Sequence, residues 1–264
     1  GDSDFPASAL MSDATVMRDT GYSLGWWASD AAFAEVAYST PEIIGEWETK
    51  IASWVAEGAA TGADLLVFPE YAAIEQAAAL GPGVYSDLTT TLEQVADLAA
   101  KRVAFHAALA ASHGVHILVG SGPQRTDDGR FVNAAQLVTP DGAVGVQEKL
   151  IMTPFEHDWG VTAGGPLRVF ETDLGKLAVL ICYDSEFPLL ARSQVEAGAN
   201  LIVVPSCTDS EYGYHRVRIG SQARAYEVLG VAIGASAKAN AARAVALGEM
   251  AVSAGDGSLA IGGI

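Results

Sequence analysis

The sequence predicts an α/β fold in which two stacked mixed β-sheets are covered by helices. Short apolar runs, typical of buried strands, alternate with longer stretches whose apolar residues recur at helical spacing. Turn signals at residues 140–142 and 173–176 join neighbouring strand-like runs directly, which is typical of antiparallel pairs. Because crossover and hairpin connections occur together, two mixed sheets with helices on their outer faces accommodate both.

The length of the chain favours one large domain. Its 264 residues are 50% hydrophobic, which is enough to bury a single core, and no linker or repeat divides them. We expect a polar extension at residues 1–32, which includes Trp26 and Trp27 and is either disordered or packed on the surface. The domain itself is predicted to span residues 33–264.

Strands and helices are predicted to alternate along this domain. The first strand, residues 33–39, precedes a helix for which Thr40 is the N-cap and Pro41 the first residue. The apolar face of that helix comprises Trp47, Ile51, Trp54 and Val55. Further strands are expected at residues 65–68, 116–120, 134–138, 143–146, 167–170, 177–182 and 201–204, and further helices at residues 89–112, 188–197 and 214–229.

The charge balance argues against several classes of partner. The chain has 15 basic and 32 acidic residues, a net charge of -17, which disfavours binding to nucleic acid and to anionic membrane surfaces. No run of about 18 apolar residues is present, and the N-terminus lacks a basic segment followed by an apolar one. Neither a membrane span nor a secretion signal is therefore predicted. The excess of acids is also compatible with a salt-adapted host.

The cysteine content predicts a reducing compartment. Cys182 and Cys207 show no spacing typical of a disulfide framework or of a zinc site, so we expect a cytoplasmic protein without a metal. The glycine-rich residues 120–123 and 164–166 match no nucleotide-binding fingerprint, and each contains a proline, which lacks an N–H donor. No cofactor is expected.

Three strand-like runs end in residues that together could perform acyl transfer. Cys182 ends an apolar run at a strand-to-helix turn, where a thiol is exposed and backbone N–H groups face a developing charge. Glu70 follows a second run and Lys149 a third, which adds a proton acceptor and a positive charge. Taken singly, each has an ordinary interpretation, as a buried cysteine, a solvated turn acid and a surface lysine.

The segments around these residues resemble the carbon-nitrogen hydrolase family, often called the nitrilase superfamily. The matching segments are residues 68–71, 148–156, 180–188 and 203–227, in the family's order of Glu, Lys and Cys. The resemblance extends from about residue 33 to the C-terminus. It implies a four-layer α-β-β-α sandwich with two mixed β-sheets, commonly paired into a homodimer or a higher homo-oligomer.

The resemblance also implies a role for each site residue. Cys182 would be the nucleophile and Glu70 the general base that a thiol with an ordinary pKa of about 8.5 requires. Lys149 would face the tetrahedral intermediate, and Glu156 would be a supporting carboxylate. The resemblance also implies three residues at the oxyanion site and the substrate pocket: Tyr183, Tyr71 and Thr208. Of these, Tyr183 would donate its backbone N–H to the oxyanion.

The expected activity is the cofactor-independent hydrolysis of a non-peptide carbon-nitrogen bond in a small linear amide or carbamoyl compound. Family members that act on nitriles commonly carry Trp-Glu after the nucleophile, whereas this chain has Tyr183 and Asp184. The alternative among enzymes is a nitrilase that converts a nitrile to acid and ammonia. The alternative outside enzymes is a non-catalytic scaffold with the same fold.

Other polar residues allow different interpretations. His215 could act as a base for Cys182, although a histidine at a helix start is more often a capping or surface group. Arg216 and Arg218 could bind a substrate carboxylate, although helix arginines are usually solvated or paired with acids. Glu156 could likewise be an exposed loop acid.

Overall fold

The computed structural model describes residues 25–28, 41–208, 210–228 and five short strands between residues 232 and 261. Its helices are α1 (Ile44–Ala60), α2 (Gln76–Ala79), α3 (Pro82–Tyr85), α4 (Leu88–Asp97), α5 (Ala99–His113), α6 (Pro154–Asp158), α7 (Pro188–Glu196) and α8 (Glu211–Val228). Two 3₁₀ helices lie at Ala72–Glu75 and Cys182–Glu186. Its strands are β1 (Gly25–Ala28), β2 (Ala63–Val67), β3 (His116–Arg125), β4 (Phe131–Val138), β5 (Val144–Glu148), β6 (Val169–Thr172), β7 (Gly175–Val179), β8 (Leu201–Val203), β9 (Ala232–Ile233), β10 (Lys238–Ala239), β11 (Val245–Leu247), β12 (Val252–Ser253) and β13 (Leu259–Ile261).

The first sheet is mixed and has the strand order β1-β2-β3-β4-β5. β2 and β3 run parallel and are joined by a crossover that contains α2 to α5, whereas β3, β4 and β5 are antiparallel neighbours. The predicted turn at residues 140–142 joins β4 to β5, where Val138 pairs with Val144. β1 pairs antiparallel with β2, with Trp26 opposite Leu66.

The second sheet is also mixed and has the order β6-β7-β8. The predicted turn at residues 173–176 joins β6 to β7, where Thr172 pairs with Gly175. β7 and β8 run parallel and are connected through α7. Among the short strands, β11 pairs in parallel with β9 and β13, and β10 pairs in parallel with β12.

The two sheets stack face to face, with helices on both outer sides. A buried cluster joins Leu118 and Leu137 of the first sheet to Leu177 and Val179 of the second. On the other face of the first sheet, α1 and α5 cover a second cluster, whose members from α1 are those of the predicted apolar face: Trp47, Ile51 and Val55, with Trp54 packed against them. Outside the second sheet, the side chain of Gln194 in α7 donates to Val179 O at 3.0 Å, and α8 packs on α7. The order of layers is helix, sheet, sheet, helix, as predicted.

Some element boundaries differ from the prediction. α1 begins at Ile44 rather than at Pro41, because Ile43 is extended with a φ of -138°. The predicted helix over residues 89–112 is two helices, α4 and α5, since Arg102 Nη1 donates to Val95 O at 3.3 Å and so satisfies the end of α4 from the next helix. The predicted strand at residues 33–39 and Thr40 lie outside the described residues.

None of the helices in the described part of the chain combines the length and the apolar character that crossing a bilayer requires.

Candidate active site

Four buried polar residues meet where strands of the two stacked sheets end. Glu70 lies just beyond β2, Lys149 follows β5 directly, and Cys182 lies just beyond β7. Glu156, the fourth, belongs to the short helix α6. All four are at most 3% exposed, which excludes the interpretation of Glu70 as a solvated turn acid, of Lys149 as a surface lysine and of Glu156 as an exposed loop acid.

The turn that carries Glu70 packs tightly against β3. Gly120 has a φ of +81°, and a Cβ there would collide with Pro69 O, so only glycine fits this position without strain. The next residue, Ser121, donates its N–H to Pro69 O at 3.3 Å and accepts the Tyr71 N–H on Oγ at 3.1 Å. One of the two glycine-rich segments therefore fixes the backbone on both sides of Glu70.

A single ammonium serves two carboxylates. Lys149 Nζ donates to Glu70 Oε1 at 2.8 Å and to Glu156 Oε2 at 2.6 Å. Asn133 Nδ2 donates to Glu70 Oε1 at 3.1 Å and to Glu156 Oε1 at 3.0 Å, and Tyr71 OH donates to Glu156 Oε1 at 2.8 Å. Because both acids are paired and hydrogen-bonded, their charges are tolerated in a buried place.

Local sequence orients Glu156. Thr153 and Glu156 form a capping box at the start of α6, in which Thr153 Oγ1 accepts the Glu156 N–H at 3.3 Å. In return, Glu156 Oε2 accepts from Thr153 N and Thr153 Oγ1, both at 2.9 Å. Pro154 occupies the first turn, where its missing N–H is not needed. The same carboxylate therefore caps a helix and binds Lys149.

Cys182 is held in a strained turn. Its φ of +48° lies in the left-handed region, which costs a residue with a Cβ about 1–3 kcal/mol. Two hydrogen bonds to its backbone hold it there: Cys182 N donates to Pro205 O at 2.9 Å, and the Ser185 hydroxyl donates to Cys182 O at 2.7 Å. Its Sγ lies 3.8 Å from Cys207 O. Cys182 is the first residue of a 3₁₀ helix, and the predicted helix begins at Pro188.

Asp184 joins the Cys182 turn to the segment after Lys149. Its fully buried carboxylate accepts the N–H of Ile151 at 2.8 Å, of Leu150 at 3.2 Å and of Ile181 at 3.3 Å. Burial raises the pKa of Asp184 to about 6, although these hydrogen bonds oppose the shift.

Burial and neighbouring charges set the protonation of the site. Burial, and then the Glu70 charge, raise the pKa of the Cys182 thiol well above its usual value, so the resting thiol is protonated. Burial also raises the pKa of Glu70, against the Lys149 ammonium, and a hydrogen bond between the Glu70 carboxylate and the thiol contributes to both shifts. Burial alone would lower the pKa of Lys149, but the two carboxylates outweigh it and raise that pKa. Burial alone would raise the pKa of Glu156, which the Lys149 ammonium instead holds below its usual value.

The three residues expected at the oxyanion site and pocket have different surroundings. Tyr71 belongs to the carboxylate cluster through its hydroxyl. Tyr183 follows the thiol, and its ring packs edge-on against Phe187 with centroids 5.0 Å apart. Thr208 packs against the start of α8. If Gly213 of this helix carried a Cβ, that atom would lie 3.0 Å from the Cβ of Thr208.

The alternative polar residues have other contacts. His215 is exposed, and its ring packs edge-on against Tyr214 with centroids 5.2 Å apart. Arg216 Nε donates to Glu186 at 2.7 Å, and Arg218 is exposed. Within the described residues, the groups that act on the Cys182 thiol include the Glu70 carboxylate, the Lys149 ammonium and Cys207 O.

Two residues of the site were not singled out from the sequence. Asn133 contacts both carboxylates, and Asp184 was noted only as the residue where nitrile-acting members carry Glu. The signal that could have identified Asn133 is a polar residue inside a strand with buried neighbours, because buried polar groups nearly always have partners.

A metal would compete with Lys149 for this place. The Lys149 ammonium already lies between the Glu70 and Glu156 carboxylates and donates a hydrogen bond to each of them. Within the described residues, no group of three or more His, Cys, Asp or Glu side chains is arranged to hold a metal ion.

Solved structures of similar fold include hydrolases of carbon-nitrogen bonds. An amidase from Nesterenkonia sp., solved with acrylamide added to its active-site cysteine, has a TM-score of 0.56 at 24% identity, over 72% of this chain and 71% of that one. A carbon-nitrogen hydrolase from Helicobacter pylori has a TM-score of 0.58 at 21% identity, over 73% and 67% of the two chains. These similarities show a shared mixed α/β fold with two mixed sheets.

Curated relatives match parts of the chain. The probable hydrolase YhcX of Bacillus subtilis is 48% identical over 120 residues, which are 45% of this chain and 23% of that protein. A hydrolase in the pqqF 5′ region of Pseudomonas protegens is 34% identical over 177 residues, 64% of this chain and 56% of that protein. The omega-amidase NIT2-B of Xenopus laevis is 28% identical over 123 residues, 43% and 44% of the two chains. The chain thus spans from about a quarter to just over half of these relatives.

The family itself follows from a match that covers most of the chain. A family model of carbon-nitrogen hydrolases matches residues 30–256. That span contains β2 to β12 and every residue of the cluster around Lys149. With this match and the shared fold, the chain belongs to the carbon-nitrogen hydrolase family.

Proposed function

We propose that the chain hydrolyses a non-peptide carbon-nitrogen bond in a small linear amide or carbamoyl compound. Cys182 is the nucleophile, Glu70 the general base, Lys149 the cation that faces the oxyanion, and Glu156 the supporting carboxylate. The observation that carries the proposal is a fully buried ammonium shared by two carboxylates, one of which, Glu70, accepts the N–H of Cys207 at 3.2 Å, while Cys182 Sγ lies 3.8 Å from Cys207 O. A scaffold would have no physical need for this arrangement, because unpaired or poorly paired buried charges are costly.

The hydrogen bonds of Lys149 support its role at the oxyanion. An ammonium has three N–H donors, and two of them are taken by Glu70 and Glu156. The third has no acceptor within the described ranges of the chain, so it is available to an oxygen of the substrate. Removal of one such donor from a dry site typically costs about 10²- to 10³-fold in rate.

The protonation of the site supports a general-base mechanism for the first half of the reaction. Glu70 takes the proton from the Cys182 thiol as Sγ attacks the carbonyl carbon of the amide. The negative charge moves to the carbonyl oxygen, which Lys149 Nζ and the backbone N–H of Tyr183 stabilise. The carbon-nitrogen bond then breaks, Glu70 gives its proton to the departing nitrogen, and ammonia leaves a thioester on Cys182.

The second half uses the same groups in reverse. A water molecule attacks the thioester carbon while Glu70 accepts one of its protons, and the second oxyanion forms beside Lys149. The carbon-sulfur bond breaks, and the proton held by Glu70 returns to the sulfur. The acid product leaves, and the Cys182 thiol and the Glu70 carboxylate regain their starting states.

The substrate class rests on the residues after the nucleophile and on the relatives. Tyr183 and Asp184 differ from the Trp-Glu that is common in nitrile-acting members. The relatives include an omega-amidase from Xenopus laevis and an aliphatic nitrilase from Sinorhizobium fredii, so nitrile hydrolysis is the outcome that an assay must separate. We expect ammonia from amides or carbamoyl compounds at rates well above those from nitriles.

The decisive experiment combines ammonia release with mass spectrometry of the intact protein. A panel of small amides, carbamoyl compounds and nitriles is assayed with the wild type and with Cys182→Ala. We expect turnover only with the wild type, and substrate-derived mass on the peptide that contains Cys182. Glu70→Gln keeps the shape of the side chain but cannot accept a proton, so both thioester formation and its hydrolysis should slow.

The matched control is Cys207→Ala. Cys207 contacts Glu70 through its N–H at 3.2 Å and Cys182 through its C=O at 3.8 Å, and alanine keeps both backbone groups. This variant should retain turnover. Turnover by Cys182→Ala, or acyl mass on Cys207 instead, would contradict the proposed nucleophile.

Assembly into a homodimer or a higher homo-oligomer is proposed as well. Three large apolar side chains on the outer helices α7 and α8 are 62–75% exposed: Leu189, Tyr212 and Ile219. Burial of these side chains against a second copy of the chain would explain their exposure in a single copy.

The cytoplasmic location stays a prediction from the cysteine content.

A further inference from the structure

Asn133 contacts all three charged residues of the site. Its side-chain Nδ2 donates to Glu70 Oε1 at 3.1 Å and to Glu156 Oε1 at 3.0 Å. Its backbone O accepts the N–H of Lys149 at 2.8 Å. The residue is fully buried in β4, where it pairs with Pro123 of β3. It lies in no motif quoted for the three catalytic roles, and those roles do not use it.

The other half of the same amide is left without a partner. Asn133 Oδ1 is buried, and no hydrogen-bond donor reaches it within the part of the chain that the structure describes. A buried acceptor without a donor is unfavourable. The Asn133 side chain thus donates both N–H groups of Nδ2 to the two carboxylates, while its oxygen accepts no hydrogen bond. This indicates that the two donated hydrogen bonds are the reason for an asparagine at this position.

The number of charges explains why these donors matter. Two ionised carboxylates and one ammonium leave one negative charge uncompensated in a buried place. Like charges that share a site repel each other, and each N–H donor that reaches an ionised oxygen reduces that repulsion. Asn133 supplies one donor to each acid without adding a charge, so both acids can stay bound to Lys149.

We propose that Asn133 is a positioning residue that holds Glu70 and Glu156 together on the single Lys149 ammonium. The inference rests on the proposed function, because it assigns Asn133 to the geometry of that reaction. With Asn133 in place, Glu70 stays beside the Cys182 thiol whether it carries the transferred proton or not. Without it, Glu70 and Glu156 separate or hold a proton at rest, and the base is lost.

Several titratable groups lie within electrostatic reach of this cluster and shape its pH dependence. They are Lys149 after β5, Cys182 and Asp184 after β7, Tyr71 after β2 and Cys207 after β8. A substitution at Asn133 removes none of these groups, and the titratable side chains that the Asn133 amide contacts are Glu70 and Glu156, so a change in the pH profile of such a variant originates at the two carboxylates.

The test compares Asn133→Leu and Asn133→Asp with the wild type. Leucine keeps the volume but donates nothing, and aspartate keeps the shape but cannot donate from both positions. We expect kcat for ammonia release to fall about 10²-fold, as for misplaced catalytic groups, while KM changes less than about threefold. The acidic limb of kcat/KM should move to higher pH, because carboxylates that lose a donor hold their protons more strongly.

A second measurement needs no substrate. Iodoacetamide alkylates Cys182 through its thiolate, and peptide mass spectrometry separates this reaction from that of Cys207. The pH at which Cys182 becomes reactive should also change in both variants, because the charge of Glu70 contributes to the pKa of this thiol. The matched control is Gln136→Leu, a buried amide of the same strand that donates to Gln124 at 3.2 Å, and it should leave both profiles unchanged.

The outcomes separate this inference from the proposed function. If folded Asn133→Asp or Asn133→Leu keeps the wild-type pH profile and rate while Cys182→Ala is inactive, the role of Asn133 is wrong and the proposed function stands. Equal shifts in Gln136→Leu would also overturn it, because they would indicate a general effect on β4. Turnover by Cys182→Ala refutes the proposed function whatever the Asn133 variants do.

Discussion

Replacement of Lys149 by methionine tests the charge pairing at the centre of the site. Methionine has a similar length and no charge, so Glu70 and Glu156 lose hydrogen bonds of 2.8 and 2.6 Å to one ammonium. Removal of one partner from a buried ion pair costs about 3–5 kcal/mol of the free energy of unfolding. Because two carboxylates lose the same cation, we expect about 5 kcal/mol at pH 7.5, the upper end of that range.

The loss should shrink as the pH falls. In the wild type, Lys149 holds the pKa of Glu156 below its usual value, which contributes stability that is present at neutral pH and lost as the pH falls through that pKa. In the variant, burial acts unopposed and raises the pKa of both carboxyl groups, so the folded variant binds protons more readily than the unfolded chain and gains stability at low pH. Both effects reduce the difference between the two proteins.

Urea titrations at pH 7.5 and pH 5 measure this difference directly. Lys176→Met is the matched control, because the exposed side chain of Lys176 in β7 pairs with the exposed Glu171 of β6 at 3.0 Å. Its loss should cost less than about 1 kcal/mol at either pH. In the same preparations, Lys149→Met should lose at least about 10²-fold in kcat, with a smaller change in KM. An equal loss of stability at both pH values would refute the pairing, and a change in KM alone would refute the oxyanion role.

Two further substitutions test how the backbone of the site is held. Burial raises the pKa of Asp184 to about 6 from an ordinary 3.8, so the folded protein binds this proton more tightly than the unfolded chain. In urea titrations, its free energy of unfolding should therefore fall by about 2 kcal/mol relative to Asp184→Asn as the pH rises from 4 to 6. A pH-independent difference would contradict the assigned pKa. A Cβ on Gly164 would collide with Glu148, so Gly164→Ala should lower the free energy of unfolding by about 1–3 kcal/mol in the same assay. It should also lower turnover, because Glu148 is adjacent to Lys149. The control is Gly45→Ala, where a Cβ would meet nothing within 4 Å, and this variant should be neutral or stabilising. A neutral Gly164→Ala would contradict this close packing.

The family and the fold class could be predicted because their signals are local. Residues 140–142 and 173–176 each carry turn chemistry, and both turns join the strands that they were expected to join. The chemistry-bearing residues follow apolar runs, and the ends of stacked strands meet. The end of α1 also has a local signal, since α1 ends at Ala60 and the nearby Gly62 has a φ of +83°.

The remaining features depend on contacts between distant parts of the chain. The boundary between α4 and α5 is set by Arg102, whose buried guanidinium donates back to Val95 and also to Gln76 at 2.6 Å. Asn133 lies 63 residues from Glu70 and 23 from Glu156, so no neighbouring residue indicates what its amide contacts. The roles of Glu70, Lys149, Cys182 and Glu156 stay predictions, although the structure brings these residues into one cluster.

The pairing of β1 with β2 has a consequence for how the chain can be shortened. β1 covers one edge of β2, with Trp26 opposite Leu66 and Trp27 opposite Leu65, and β3 covers the other. A protein trimmed to the family match at residues 30–256 would lose β1, and among the described strands β2 would then pair with β3 alone and become an edge strand. Its unpaired N–H and C=O groups and its apolar sequence would then be a template for aggregation between chains, next to the turn that carries Glu70.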